Sequence, residues 1–199
     1  KDAASLETAH KINTIIFDKT GTLTYGKPVV TDVVGGKNVL QLAGSIERGS
    51  EHSLAEAIVK KAEEEKVEFL EVVKFKAIAG HGVEGLIGGK RVVLGNRKLM
   101  QREKIAIDDD AISKLEEEGK TVMMLGLEGK FIGLIAVADT IKDSAKQAVK
   151  SLQDMGIEVW MITGDNQKTA SAIAKQVGIK QVLAEVLPDE KEREVRKLQ

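Results

Sequence analysis

Ile15-Ile16-Phe17-Asp18-Lys19-Thr20-Gly21-Thr22-Leu23-Thr24 decides how this chain is read. Three apolar residues in a row suit a buried strand, and the polar run behind them ends it, so Asp18 falls at the carboxyl end. In open parallel sheets, ligands bind outside those carboxyl ends. An aspartate there, followed by glycine and hydroxyl residues whose backbone N–H groups can face an anion, suits phosphoryl chemistry. Its carboxylate can attack phosphorus and form an acyl phosphate, which splits one transfer into two steps. Such an intermediate needs a divalent cation to offset carboxylate–phosphate repulsion, and a lysine near the transferred group. Lys191 is a candidate.

Toward the carboxyl end, strands and helices alternate, which implies a parallel sheet. Asp143 is placed to cap a helix whose Ala145, Ala148, Val149, Leu152 and Met155 recur at helical spacing, with a stop at Gly156. Ile157 to Ile162 reads as a strand ended by Thr163-Gly164-Asp165-Asn166, and a helix through Ile173 and Val177 closes at Gly178. Val182-Leu183 reads as a short strand, and Pro188 opens a last helix carrying Lys191. The strand-tipped Asp18 at the front and this continuation at the back form one split parallel-sheet domain, residues 1–27 with 135–199. Gly26 and Pro28 mark one hinge, and Leu134 to Asp139 the other.

Between them, residues 28–134 read as an α+β insert. Val39 to Arg48 is helical. Leu54 to Lys66 is a stronger helix with Leu54, Ala55, Ile58 and Ala62 on one face, and Ser53 with Glu56 fits a capping box at its start. Val83 to Ile87 and Arg91 to Leu94 flank Gly88-Gly89, an antiparallel hairpin signal. Asp110 to Glu118 is a helix ending at Gly119, and Thr121 to Leu127 pairs with Phe131 to Val137 across Glu128-Gly129.

Composition narrows the function classes. The chain has 199 residues, 30 Lys+Arg against 31 Asp+Glu, and no cysteine. A net charge of −1 supplies no basic field for gripping nucleic acid, so no nucleic-acid partner is expected. Without cysteine there is no disulfide, thiolate metal site or thiol nucleophile. The longest apolar run, Phe131 to Ala138, is far below the ~20 residues that span a bilayer. The chain opens at Lys1 without a signal segment and stops at Gln199 inside a helical pattern, so both ends read as interrupted.

The string Asp18 to Thr24 resembles the phosphorylation motif of P-type ATPases. Thr163-Gly164-Asp165-Asn166 resembles that family's second phosphate-site motif, and Leu187-Pro188 to Lys191 its lysine motif. All three belong to the haloacid-dehalogenase-like superfamily and occur here in its order. In the insert, Glu47, Ser50-Glu51-His52, Gly80-His81-Gly82 and Gly95-Asn96 resemble the nucleotide-binding residues of the heavy-metal-transporting branch, most closely copper exporters. The fold this implies is a haloacid-dehalogenase-like Rossmannoid phosphorylation domain with an inserted α+β nucleotide-binding domain.

The resemblance also implies roles. Asp18 accepts the γ-phosphate of ATP, with Lys19 beside it. Thr20 and Thr163 bind phosphoryl oxygens, Asp165, next to Gly164 of the same motif, helps position the nucleotide phosphates, and Lys191 neutralises charge. Mg2+ is held by the Asp18 carboxylate and the Thr20 carbonyl, together with an aspartate expected beyond Gln199. Adenine and ribose lie among Glu47, His52, Gly80, Gly82 and Asn96, with Gly95 shaping the approach. Transmembrane and actuator domains of one longer chain are the implied partners, the transported ion binds outside this segment, and the segment lies on the cytoplasmic face of a membrane.

One substitution departs from the family's pattern, and one position separates the chain from related phosphatases. The family usually has proline after the histidine, where this chain has Ser53; both residues suit a helix start. Related phosphatases carry a second aspartate two residues after the nucleophile, where this chain has Thr20. A positioned base there is worth ~10²–10⁴-fold, so a phosphatase without it turns over slowly while a pump gains a persistent intermediate. A soluble phosphatase of the same superfamily is the alternative, and a nucleotide-binding module without chemistry is a further one. Gly80 to Gly85 also spells GxGxxG, but a hairpin pattern follows it where a dinucleotide fingerprint opens a helix. Glu63-Glu64-Glu65 reads as a solvated helix end, and Asp108-Asp109-Asp110 as a helix start.

Overall fold

A computed structural model describes residues 12–36 and 38–197. The chain ends at Lys1 and Gln199, read above as interrupted, lie outside the described residues. In chain order the strands are β1 (Thr14–Asp18), β2 (Val29–Gly35), β3 (Val72–Ile78), β4 (Gly82–Ile87), β5 (Lys90–Gly95), β6 (Thr121–Leu127), β7 (Lys130–Ala138), β8 (Glu158–Ile162) and β9 (Gln181–Leu183). The helices are α1 (Val39–Glu47), α2 (Ser53–Glu64), α3 (Arg97–Arg102), α4 (Asp109–Glu117), α5 (Asp143–Asp154), α6 (Gln167–Val177) and α7 (Lys191–Arg196). They divide into two compact units: residues 1–25 with 141–199, and residues 26–140. A boundary between 134 and 135 would cut β7 in half, so the sequence-based limit is corrected to the end of that strand.

The first unit is a parallel sheet in the order β1-β8-β9. In the β1–β8 register Asp18 stands beside Ile162, so the two strand ends that carry Asp18 and Thr163 are neighbours. Val149 of α5, Val159 and Met161 of β8, and Ala170, Ile173 and Val177 of α6 form the core. Asn166 caps α6 by accepting the Thr169 N–H at 3.0 Å, and Gly178 ends it in the left-handed region at φ 83°. Two expectations fail here. Asp143 is the first residue of α5 and not its cap, placing a carboxylate in the first turn, where the helix dipole favours it. Pro188 lies in a turn, and α7 begins only at Lys191.

The second unit is a six-stranded antiparallel sheet ordered β2-β7-β6-β5-β4-β3. Both faces are covered, and the strand period of two sorts the side chains between them. Val92, Leu94, Met123, Leu125, Ile135 and Val137 pack with α1 and α2, while Val93, Val122, Met124, Leu134 and Ala136 pack with α3 and α4. This explains why β6 and β7 read as unbroken apolar runs. The capping box is corrected: His52, not Ser53, is the cap of α2, its Nδ1 accepting the Leu54 N–H at 3.3 Å.

Candidate functional site

In the first unit, β1 ends at Asp18 and a tight turn follows. Thr24, fully buried, donates through both its N–H and its hydroxyl to the Lys19 carbonyl, at 3.1 and 3.0 Å. Its Oγ1 also accepts the Gly21 N–H at 3.3 Å, and Gly21 takes φ 75°, which glycine alone adopts without cost. The Lys142 ammonium donates to the Gly21 carbonyl at 2.8 Å. The turn is thereby held from inside by Thr24 and from outside by Lys142. Neither role was read from sequence. Thr24 was visible as part of the quoted string, whereas nothing local marks Lys142.

Two ion pairs knit the cluster. Lys191 Nζ donates to Asp18 Oδ1 at 2.9 Å across 173 positions of sequence. Lys19, almost wholly buried, reaches Asp165 Oδ2 at 2.7 Å. Thr163, also buried, donates to Asp165 Oδ2 and accepts the Asp165 N–H, both at 3.1 Å. The loop before α7 closes over this turn, with Glu185 N–H on the Asp165 carbonyl and Val186 N–H on that of Thr163. Thr20 and Gly164 are exposed at the same strand ends. The structure thus gathers Asp18, Lys19, Thr20, Thr163, Gly164, Asp165 and Lys191 in one unit. A carboxylate paired with one ammonium group, with a second lysine and threonine hydroxyls on the adjoining strand ends, has the charge balance to accept a phosphoryl group.

Mg2+ prefers oxygen donors and retains waters, completing its shell with phosphate oxygens. The Asp18 carboxylate and Thr20 carbonyl are donors of that kind. No group of three or more His, Cys, Asp or Glu side chains suited to a metal ion occurs among the described residues.

The second unit carries its own constellation. Gly82 and Gly95 stand opposite each other in the β4–β5 register, and their backbones nearly touch. A Cβ on Gly82 would lie 2.1 Å from the Leu94 carbonyl oxygen, and one on Gly95 would lie 2.2 Å from that of His81. These glycines were expected to let a flat base approach the backbone; the close approach they permit here is of chain to chain. Asn96 stitches the turn. Its N–H donates to the His81 carbonyl at 2.9 Å, its Nδ2 to the Gly80 carbonyl at 2.9 Å, and its Oδ1 accepts the Leu99 N–H at 3.1 Å. Gly80, Gly82, Gly95 and Asn96 therefore form one rigid corner.

Glu47 and His52 bracket the turn between α1 and α2. Gly49, between them, lies flat on the Phe75 ring of β3, where a Cβ would be 3.2 Å from the ring atoms. That contact ties the turn to the strand that leads into Gly80. Glu47 is 3% exposed, and burial pushes its carboxyl up to about 7, with a Ser50 hydrogen bond acting weakly in the other direction. Its Oε2 has no hydrogen-bond partner among the described residues. His52 is exposed, and since its Nδ1 caps α2, only Nε2 and the ring face are open to a ligand. Arg97, directly after Asn96, forms a bidentate pair with buried Glu116 through Nε at 3.1 Å and Nη2 at 2.8 Å. It anchors the start of α3, a contact that no sequence spacing announced.

Comparison with known proteins agrees with this architecture. The family described as haloacid dehalogenase-like hydrolase matches residues 12–199. A copper-exporting P-type ATPase of Staphylococcus aureus (strain JH9) is 50% identical over 202 residues, covering 100% of this chain. The chain spans about a quarter of the length of the curated relatives it matches. A solved catalytic domain of the CPx-ATPase CopB-B superposes with a TM-score of 0.76 at 31% identity, covering 100% of this chain and 71% of that one. A zinc-transporting PIB-type ATPase in an E2.Pi state gives a TM-score of 0.64 at 34% identity, covering 100% and 33%. The chain belongs to the haloacid dehalogenase-like hydrolases and, within them, to the catalytic domains of the CPx-type P-type ATPases.

Proposed function

We propose that this chain is the ATP-binding catalytic part of a P-type ATPase that exports a heavy-metal ion, copper by its strongest likeness, through an aspartyl-phosphate intermediate. The observation that carries this reading is the pairing of Asp18 with Lys191 beside the Thr163–Asp165–Lys19 cluster, with a threonine where a phosphatase would hold an acid. Asp18 attacks the γ-phosphorus, the bond to the β-phosphate oxygen breaks, and ADP leaves. Lys191, already against Asp18 Oδ1, follows the charge onto the phosphoryl oxygens, while Thr20 and Thr163 bind those oxygens. Lys19 holds Asp165 in place toward the nucleotide phosphates. Mg2+, where bound by Asp18 and Thr20, offsets the repulsion between carboxylate and phosphate. Residues 26–140 are the nucleotide-binding domain, and the remainder is the phosphorylation domain.

Transmembrane and actuator domains of the same longer chain are the proposed partners, and the cargo ion binds there. The segment itself lies on the cytoplasmic face. No helix among the described residues is long and apolar enough to cross a membrane.

The soluble-phosphatase reading makes a separable prediction. Phosphate release from small phosphomonoesters by this chain should stay at background, because no base stands two residues after Asp18. Sustained turnover at rates typical of dedicated phosphatases would defeat the pump reading.

Adenine recognition is checked at His52. His52→Asn keeps a good helix cap but removes the imidazole. Calorimetry should show ATP binding weakened by ~1–2 kcal/mol, the range for a lost hydrogen bond, with the melting temperature unchanged. Equal affinity would move adenine away from His52.

A further inference from the structure

We propose that Glu47 meets adenine as a neutral carboxylic acid, Oε2–H donating to a ring nitrogen of the purine edge while the other oxygen accepts from the exocyclic amine. This rests on the placement of adenine proposed above and specifies the chemical form in which the site reads it.

Four features of the structure converge on the neutral form. Glu47 is buried, and a buried carboxylate without a cation is costly. It is the last residue of α1, where the helix dipole and the terminal carbonyls oppose a negative charge. The polar group acting on its carboxyl is the uncharged Ser50 hydroxyl. Oε2 is enclosed and has no hydrogen-bond partner among the described residues, so a proton there finds no acceptor among them.

The charged groups on the elements packed around α1 leave this picture intact. On β2, Asp32 is paired with Lys120 at 2.8 Å. On β3 and β4, Lys76 and Glu84 stand opposite each other, on the sheet face away from the one that Val83 and Ile87 present to α1. Arg91 of β5 is engaged by Glu84 and Glu103, and Lys130 stands at the hairpin end of β7 against Leu127. Arg48 stacks on the Phe69 ring at 4.9 Å. The start of α2 brings His52 and Glu56, and Glu51 lies in the turn before it; the contribution of the His52 imidazole is separated by experiment.

Binding a flat apolar base over Glu47 removes what solvent remains and favours the neutral form further. Adenosine affinity should then fall as pH rises. With the carboxyl titrating at about 7 in the free protein, affinity at pH 8.5 should be about 30-fold weaker than at pH 6. Adenosine is the probe because it has no phosphate to titrate across that range.

The experiment is calorimetry of adenosine binding to this chain from pH 6 to 8.5, run in two buffers of different ionisation enthalpy. The wild type, Glu47→Gln and Glu47→Ala are compared. The wild type should take up close to one proton per adenosine at pH 8. Glu47→Gln, whose amide offers the same donor and acceptor without a titration, should lose the Glu47-dependent part of the pH slope and bind more tightly than wild type at pH 8.5. Its retained His52 reports any histidine contribution separately. Glu47→Ala should bind at least tenfold more weakly than wild type at pH 6. A slope unchanged in Glu47→Gln, or a Gln variant as weak as the Ala variant, overturns the neutral-acid form while leaving adenine at Glu47. A Glu47→Ala variant that binds like wild type removes adenine from Glu47 altogether.

Discussion

Asp18→Asn, in a full-length transporter carrying this chain, should form no hydroxylamine-sensitive phosphoenzyme from ATP, while fold and nucleotide affinity persist. An amide has no anionic oxygen to attack phosphorus, so the reaction loses its nucleophile and not merely a stabilising contact. The structural cost is small. The Asp18 side chain is 43% exposed and its pair with Lys191 is therefore well hydrated, a kind of contact worth about 0–1 kcal/mol. The turn behind it is held by Thr24 and Lys142 through the Lys19 carbonyl and the Gly21 backbone. The measurement is acid-quenched labelling with γ-labelled ATP, alongside urea unfolding and calorimetry. Phosphoenzyme above background in the variant would assign the nucleophile to another residue. Loss of label together with loss of fold would instead show that Asp18 is structural.

Gly82→Ala should destabilise the second unit by ~3–5 kcal/mol, combining strain in a glycine-only conformation with overpacking. At φ 146° no side chain sits comfortably, and the added methyl would meet the Leu94 carbonyl oxygen at 2.1 Å and the Gly95 Cα at 2.6 Å. Neither neighbour is the tip of a flexible side chain. Both belong to β5, whose register with β4 positions Asn96. Gly88→Ala in the adjacent hairpin is the control: φ is 56° there, but nothing lies within 4 Å, so only the left-handed strain of ~1 kcal/mol remains. Urea unfolding of both variants should separate them clearly. Equal midpoints would mean that the β4–β5 corner yields, and the rigidity claimed for it would be withdrawn.

The elements that sequence revealed are those in which period and punctuation agree. The hairpin around Gly88-Gly89 and the pair across Glu128-Gly129 carry positive-φ glycines at their turns, so their strands were legible. β2 was missed because it is an edge strand whose valines are largely exposed, which blurs the apolar alternation. β3 was missed because its register slips between Val73 and Lys76, where Lys74 takes φ 54° and breaks the period of two. α3 is a single short stretch with too few turns to show a helical period. In the site, Asp18, Thr163 and Lys191 were legible through their motifs, whereas Lys142 was not, since a lysine recognising a carbonyl leaves no pattern in sequence. Ser53 misled because serine is a common cap, and the imidazole beside it took the position.

The topology also sets an order of events on the ribosome. β1 pairs with β8, whereas residues 26–140 complete their sheet among themselves. At ~5–20 residues per second, β1 waits roughly 7–30 seconds for the strand that pairs with it. During that interval Ile15, Ile16 and Phe17 are an unpaired apolar segment, while the inserted unit gains its last strand, β7, before β8 is made. Translation speed through the insert therefore bears on yield: a pause there lengthens the exposure of the very strand that delivers Asp18.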